Sequence, residues 1–193
     1  MHTHKFLITG GKKLQGQIKV GGSKNAALPI IAASLLTSEP IILHNVPDIA
    51  DIYTMQHILH FVGVETEFGN NTLKINAQAV ANVEIEHELV SKLRASILLL
   101  APMLVRNKEV RLAFPGGCVI GKRPVEAHLS ALEALGSEVV EDHELIHLFG
   151  KDLRGADLTM TEASVTATEN AVMTAVLAKG KTTIRFAAAE PHV

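Results

Sequence analysis

A pattern of elements recurs along this 193-residue chain with a period of about 70 residues, and it limits the fold more than any single motif does. In the first copy a strand over 17–20 leads into an apolar helix over 25–36. A strand over 40–43, a helix over 51–61 and a hairpin of strands over 64–68 and 72–75 follow, closed by Gly69-Asn70-Asn71. The second copy reads as an apolar helix over 92–105, a strand over 109–112, a helix over 124–135 and paired strands over 138–141 and 144–148. The punctuation keeps step, since Pro47 and Pro115 stand 68 residues apart and Gly63 and Gly136 stand 73 apart. A third copy opens with a strand over 157–160, a helix over 164–177 and a strand over 182–186. The sequence then ends at Val193, where the next helix would start. The expected fold class is α/β, built of β-α-β-α-β-β units that bury against one another faces none could bury alone, with the third unit truncated. The chain therefore reads as part of a longer protein. A further strand is expected over 6–9.

Composition narrows the function classes. Aromatic residues make up only 4% with no Trp, so the core must be layered from Ala, Val, Ile and Leu. The formal net charge of −2 argues against a nucleic-acid track but leaves local pockets for small anions open. One cysteine cannot form an internal disulfide, which favours a reducing compartment. The N-terminus lacks the apolar core of a secretion signal, and no apolar stretch is long enough to span a bilayer. A cytoplasmic, soluble product is expected, with no membrane or nucleic-acid partner.

Four segments carry chemistry-bearing side chains. Gly21-Gly22-Ser23-Lys24-Asn25 turns from a strand into a helix. Backbone N–H groups and Lys24 there could hold an anion, or Ser23 could simply cap the helix. Pro115 to Pro124 is a loop with three glycines, Cys118, Lys122 and Arg123, where a neighbouring cation would stabilise a thiolate; a purely structural cysteine is the alternative. Arg94 opens a very apolar helix and must reach a helix end, meet an anion or snorkel to water. Residues 163–170, rich in hydroxyls, suit capping and equally suit a phosphate. His57, His60, His87, His128, His143 and His147 are scattered, and no metal-ligand spacing is present, so neither a metal nor a cofactor is expected.

Three of these segments carry a family resemblance. Gly22-Ser23-Lys24-Asn25-Ala26-Ala27-Leu28-Pro29, Lys92-Leu93-Arg94-Ala95-Ser96 and above all Pro115-Gly116-Gly117-Cys118-x-Ile120-Gly121-x-Arg123-Pro124-Val125 resemble the UDP-N-acetylglucosamine 1-carboxyvinyltransferase family of bacterial enolpyruvyl transferases. The resemblance runs over essentially the whole chain. It implies an inside-out α/β barrel domain of three units over residues 22–193, incomplete at its C-terminal end. Residues 1–21 would supply strands to a second domain absent from this sequence, and the cut edge would offer a surface for pairing. The implied reaction transfers the enolpyruvyl group of phosphoenolpyruvate to the 3-hydroxyl of UDP-N-acetylglucosamine and releases phosphate. This would be the first step of peptidoglycan precursor synthesis, and so of cell-wall biogenesis and division.

The resemblance also implies roles. Lys24, Arg94 and Arg123 would hold phosphoenolpyruvate, Asn25 the sugar substrate, and Cys118 would form the covalent adduct and be the target of fosfomycin. The nucleotide would lie along Arg123, Pro124, Val125, Glu126 and His128, with Ser164, Val165 and Thr166. The chain departs from the usual pattern at Glu126 (usually Asp), Glu162 (often Lys), Thr166 (usually Gly) and Ala189 (usually Arg). The lost positive charge bears on how the diphosphate is held. Two alternatives stand beside this reading: a related carboxyvinyltransferase with another acceptor, and a non-catalytic sugar-nucleotide binding module. The isolated fragment would be inactive.

Overall fold

The computed structural model describes residues 5–85, 87–116, 124–140 and 145–193. In the first unit, Ser23, itself extended, caps the start of α1 (Lys24–Ala33), its Oγ accepting the Ala26 N–H at 3.4 Å. A 3-10 turn over Ser34–Leu36 prolongs α1. Then come β1 (Ile41–His44), α2 (Ala50–Phe61), β2 (Glu65–Gly69) and β3 (Thr72–Asn76), with β3 in the middle of the sheet and antiparallel to both neighbours. Asn70 and Asn71 both take positive φ in the β2–β3 turn, as a tight hairpin demands.

The second unit runs β4 (Glu84–Ile85), α3 (His87–Val90), a 3-10 segment over Arg94–Leu99, α4 (Leu100–Asn107), β5 (Glu109–Ala113), α5 (Glu126–Ala134), β6 (Glu138–Val140) and β7 (Leu145–Phe149). Its sheet has the order β4-β5-β7-β6, with β4 parallel to β5 and the remaining pairs antiparallel. In the third unit β8 (Asp157–Thr159) and β9 (Thr183–Arg185) pair in parallel around α6 (Val165–Leu177). The sheets alternate buried and exposed residues, whereas Ile97 to Leu104 are buried without a break. At the centre α4 packs on α6 and on the 3-10 turn that prolongs α1, while α1 packs on the 3-10 segment before α4 and on α6, which is the inside-out arrangement.

The structure corrects the sequence reading at both ends of the first crossover. Strands expected over 6–9 and 17–20 do not form: residues 5–22 carry no regular structure, and Phe6, Leu7, Ile8, Leu14, Ile18 and Val20 are each at least 80% exposed. A strand needs an edge to pair with and a face to bury, and no described residue offers this segment either. The two-residue β4 and the single-turn α3, both unexpected, were too short to show a periodicity.

The helix expected over 92–105 is also not continuous. Its first part is 3-10, and α-helix begins only at Leu100. The break has two causes. Pro102 lacks the N–H that Leu98 would accept. One residue earlier, the Asn170 amide of α6 inserts into the ladder: its Oδ1 accepts the Ala101 N–H at 3.2 Å and its Nδ2 donates to the Ile97 carbonyl at 3.0 Å. A regular helix would join those two backbone groups to each other. Asn170 is fully buried, so its removal leaves both unsatisfied in an apolar layer. Asn170→Ala should cost about 2–4 kcal/mol in chemical denaturation; a loss below about 1 kcal/mol would show that the chain reforms the ladder without it.

Candidate functional site

Every described candidate residue lies within the first turn of a helix or at its entry. Lys24 and Asn25 open α1, Arg94 opens the 3-10 segment, Pro124, Val125, Glu126 and His128 lead into α5, and Ser164, Val165 and Thr166 start α6. Unsatisfied N–H groups and the positive end of the helix dipole gather at such places.

Two chain crossings set these helix starts. A Cβ on Gly22 would stand 1.8 Å from the Asn45 carbonyl oxygen, so the chain entering α1 passes the chain leaving β1 at a distance only glycine allows. In the second unit the glycine is on the other chain, and a Cβ on Gly116 would stand 2.5 Å from the Ser91 carbonyl oxygen. The repeat thus keeps the crossing and exchanges the partner that gives way.

Lys24 is turned toward α2, its Nζ 2.8 Å from Asp51 Oδ2, with about half of the lysine side chain exposed. An ion pair this open is weak and exchangeable, so an incoming anion could compete for the lysine. Asp51 had no place in the sequence reading, because only folding brings it against Lys24.

Arg94 does not snorkel. Its Nη1 donates to the Pro115 carbonyl at 3.3 Å and its Nη2 to the Pro124 carbonyl at 3.4 Å, so one guanidinium holds the two ends of the glycine-rich loop. Cys118, Lys122 and Arg123, the loop residues expected to carry chemistry, lie outside the described residues.

His128, 2% exposed in the first turn of α5, places Nε2 2.9 Å from Thr166 Oγ1 in the first turn of α6. Its Nδ1 is buried, and the Val125 backbone acts on the ring from the same helix start. Burial, and secondarily the Arg94 charge, push its pKa down to about 4, so the ring is neutral at pH 7. Ser164 caps α6: its Oγ accepts the Ala167 N–H and its carbonyl accepts the Thr168 hydroxyl. Thr168 Oγ1 in turn accepts the Ala188 N–H at 3.0 Å, which ties the segment before Glu190 to the same helix. The fold therefore brings together Arg94, Pro124, Val125, His128 and Thr166, with Ser164 and Val165 alongside. Glu126 stands exposed in the first turn of α5, where its charge suits the helix dipole. Lys24 and Asn25 open α1, and α1 packs on the 3-10 segment that Arg94 opens.

One residue of the neighbourhood was missed by the sequence reading. Glu169 is 7% exposed, and burial, reinforced by the charge of Glu190, raises its pKa to about 7. A lone acid among the apolar residues of α6 was the available signal. The two perturbed groups oppose each other in pH dependence. His128 has a depressed folded pKa, so its contribution to stability is full above pH 6.5 and is lost as pH falls toward 4. Glu169 has a raised one, so its contribution is full below pH 4.5 and is lost as pH rises toward 7. Relative to wild type, Glu169→Gln should therefore gain stability between pH 4.5 and 7, and His128→Gln between pH 6.5 and 4, each by on the order of 2 kcal/mol in urea denaturation. Unchanged pH slopes would contradict these two assignments.

Comparison with known proteins agrees with this architecture. The family model of EPSP synthase (3-phosphoshikimate 1-carboxyvinyltransferase) matches residues 8–193. The UDP-N-acetylglucosamine 1-carboxyvinyltransferase of Wolbachia sp. subsp. Drosophila simulans is 47% identical over 98% of this chain, and that of Acinetobacter baylyi is 45% identical over 98%. The chain spans 47% and 46% of those two proteins, about half their length. Among solved structures, the enolpyruvyl transferase NikO from Streptomyces tendae superposes with a TM-score of 0.81 at 22% identity, covering 95% of this chain and 43% of that one. An EPSP synthase from Acinetobacter baumannii gives 0.67 at 17% identity, covering 88% and 40%. These two structural likenesses concern the fold. The repeated units, the inner helices and the family match over nearly the entire sequence lead to one assignment: this chain belongs to the EPSP synthase family of carboxyvinyltransferases.

Proposed function

We propose that the protein of which this chain forms part transfers the enolpyruvyl group of phosphoenolpyruvate to the 3-hydroxyl of UDP-N-acetylglucosamine, releasing phosphate in the first step of peptidoglycan precursor synthesis. The observation that carries this reading is the 45–48% identity to transferases of that name across 98% of the chain, joined to a site in which helix starts and Arg94 surround the base of the cysteine loop.

In this reading the sugar 3-hydroxyl adds to C2 of phosphoenolpyruvate while a proton is delivered to its methylene carbon, giving a tetrahedral ketal. Loss of a proton from the new methyl group and departure of phosphate then restore the double bond on the product. A phosphate leaving group requires fixed positive charge, and Lys24, Arg94 and Arg123 are the groups proposed to supply it. Asn25 holds the sugar, and Cys118 adds to phosphoenolpyruvate and takes part in proton transfer or product release. Pro124, Val125, Glu126, His128, Ser164, Val165 and Thr166 line the nucleotide end, which suits an anion approaching two helix starts. The general base and further phosphate ligands come from a second domain, whose sheet also takes up residues 1–21. The fully exposed apolar side chains between Phe6 and Val20 support that last point. No described helix is long and apolar enough to cross a membrane, and the proposed place of action is the cytoplasm.

The test is phosphate release by the full-length protein from phosphoenolpyruvate, with UDP-N-acetylglucosamine or 3-phosphoshikimate offered as acceptor. Intact mass after fosfomycin is recorded in parallel for wild type and Cys118→Ser. Release with the UDP-sugar alone, together with one fosfomycin adduct that vanishes in the Cys118→Ser variant, is the expected result. Release with 3-phosphoshikimate instead would transfer the assignment to the other acceptor, and no release with either would end the catalytic reading.

A further inference from the structure

The hydrogen bond between His128 and Thr166 joins residues 38 positions apart and links the first turns of two neighbouring helices, α5 and α6. It is well shielded, because the imidazole is 2% exposed and Thr166 is half-buried. The charge of Arg94 is felt at the ring, and the Arg94 guanidinium holds the carbonyl of Pro124 at the entry to α5. One side chain on the α6 side thus fixes a ring that also borders the base of the cysteine loop. The remaining ring nitrogen, Nδ1, is buried, and the Val125 backbone acts on the ring from within the start of α5 itself, so the Thr166 hydroxyl is the described group that ties the imidazole to α6.

We propose that Thr166 is a positioning residue that acts through His128. Its hydroxyl clamps the imidazole and so sets the spacing between the starts of α5 and α6, on which the diphosphate of the nucleotide substrate lies. A helix start presents its N–H groups over a single turn, so two starts grip one diphosphate only when their separation matches the span of its oxygens. Nothing else described bridges these two first turns by a side-chain hydrogen bond. Without the clamp α5 can slide on α6 by the small steps that packed helices permit. The same clamp restricts the acceptor, because a β-branched side chain at 166 fills space over the start of α6 that glycine would leave open. The proposal rests on the UDP-sugar reading above, and the experiment keeps the two separable.

The experiment compares full-length wild type with Thr166→Val, which keeps the shape and removes the hydroxyl, and Thr166→Ser, which keeps the hydroxyl. The first readout needs no substrate: the ¹⁵N resonances of the His128 ring should change in Thr166→Val and stay near the wild-type positions in Thr166→Ser. The second is kinetic. Thr166→Val should raise KM for UDP-N-acetylglucosamine about fivefold to tenfold, the equivalent of one lost hydrogen bond, with kcat within about twofold and KM for phosphoenolpyruvate unchanged. Thr166→Ser should restore the wild-type KM. Unaltered ring resonances in Thr166→Val, an unaltered UDP-sugar KM, or equal effects from both variants would each overturn the proposal. If wild type does not turn over the UDP-sugar at all, the substrate reading fails, and with it the diphosphate role assigned to Thr166, while the ring resonances still decide whether the clamp exists.

Discussion

The fold of this chain turns on one buried amide. Asn170 stands between the Ile97 carbonyl and the Ala101 N–H and satisfies both, so the inner helix of the second unit can break at the point where the inner helix of the third must press against it. A break left to itself would bury two polar groups in an apolar layer, at a cost comparable to a sizeable part of a domain's net stability. With the amide in place, 3-10 and α geometry meet without loss, and Arg94 is carried at the head of the 3-10 turn to the place where it holds Pro115 and Pro124. Arg106, near the far end of the same helix, does similar work for the first unit. Its guanidinium donates to the carbonyls of Leu35, Thr37, Ala77 and Gln78, tying the end of α1 and the exit of β3 to α4. The units are therefore joined by polar groups that complete one another's backbone as well as by apolar packing.

The candidate site inherits its character from this arrangement. Because the described candidates all lie at helix starts, their region is rich in unsatisfied N–H groups before any cation is added. Arg94 adds a fixed charge that touches the loop ends and the environment of His128 at once. The desolvated His128 stays neutral beside it, which spares the site the cost of burying a second positive charge next to that of Arg94. On the α6 side, burial, and secondarily the charge of Glu190, raises the pKa of Glu169.

Much of this was legible in the residues. Apolar runs bounded by Gly, Asn and Pro placed α1, α2, α5, α6 and both long hairpins to within two or three residues, because each depends on local periodicity and turn chemistry. The cysteine loop, Lys24 and Arg94 were visible as charged or reactive groups in unusual company. The partners those groups choose were not visible. Asp51 beside Lys24 and the carbonyls that Arg94 holds are set by how units stack, and nothing in their own neighbourhoods marks them. The strands expected over 6–9 and 17–20 show the converse, since their residue types suit strands while the described fold offers no edge to complete them.

By itself, the sequence determined the repeat, the α/β class, the order of the longer helices and hairpins and the chemical types gathered at the helix starts. Each of these follows from contacts between residues close in the chain. Tertiary structure alone decided where the inner helix breaks, which glycine yields at each crossing, and that His128 spends a ring nitrogen on Thr166. The physical reason is range. The Asn170 contacts span 69 and 73 residues and the His128 contact spans 38, so each exists only after separate units have docked and excluded the water that would otherwise satisfy the same groups.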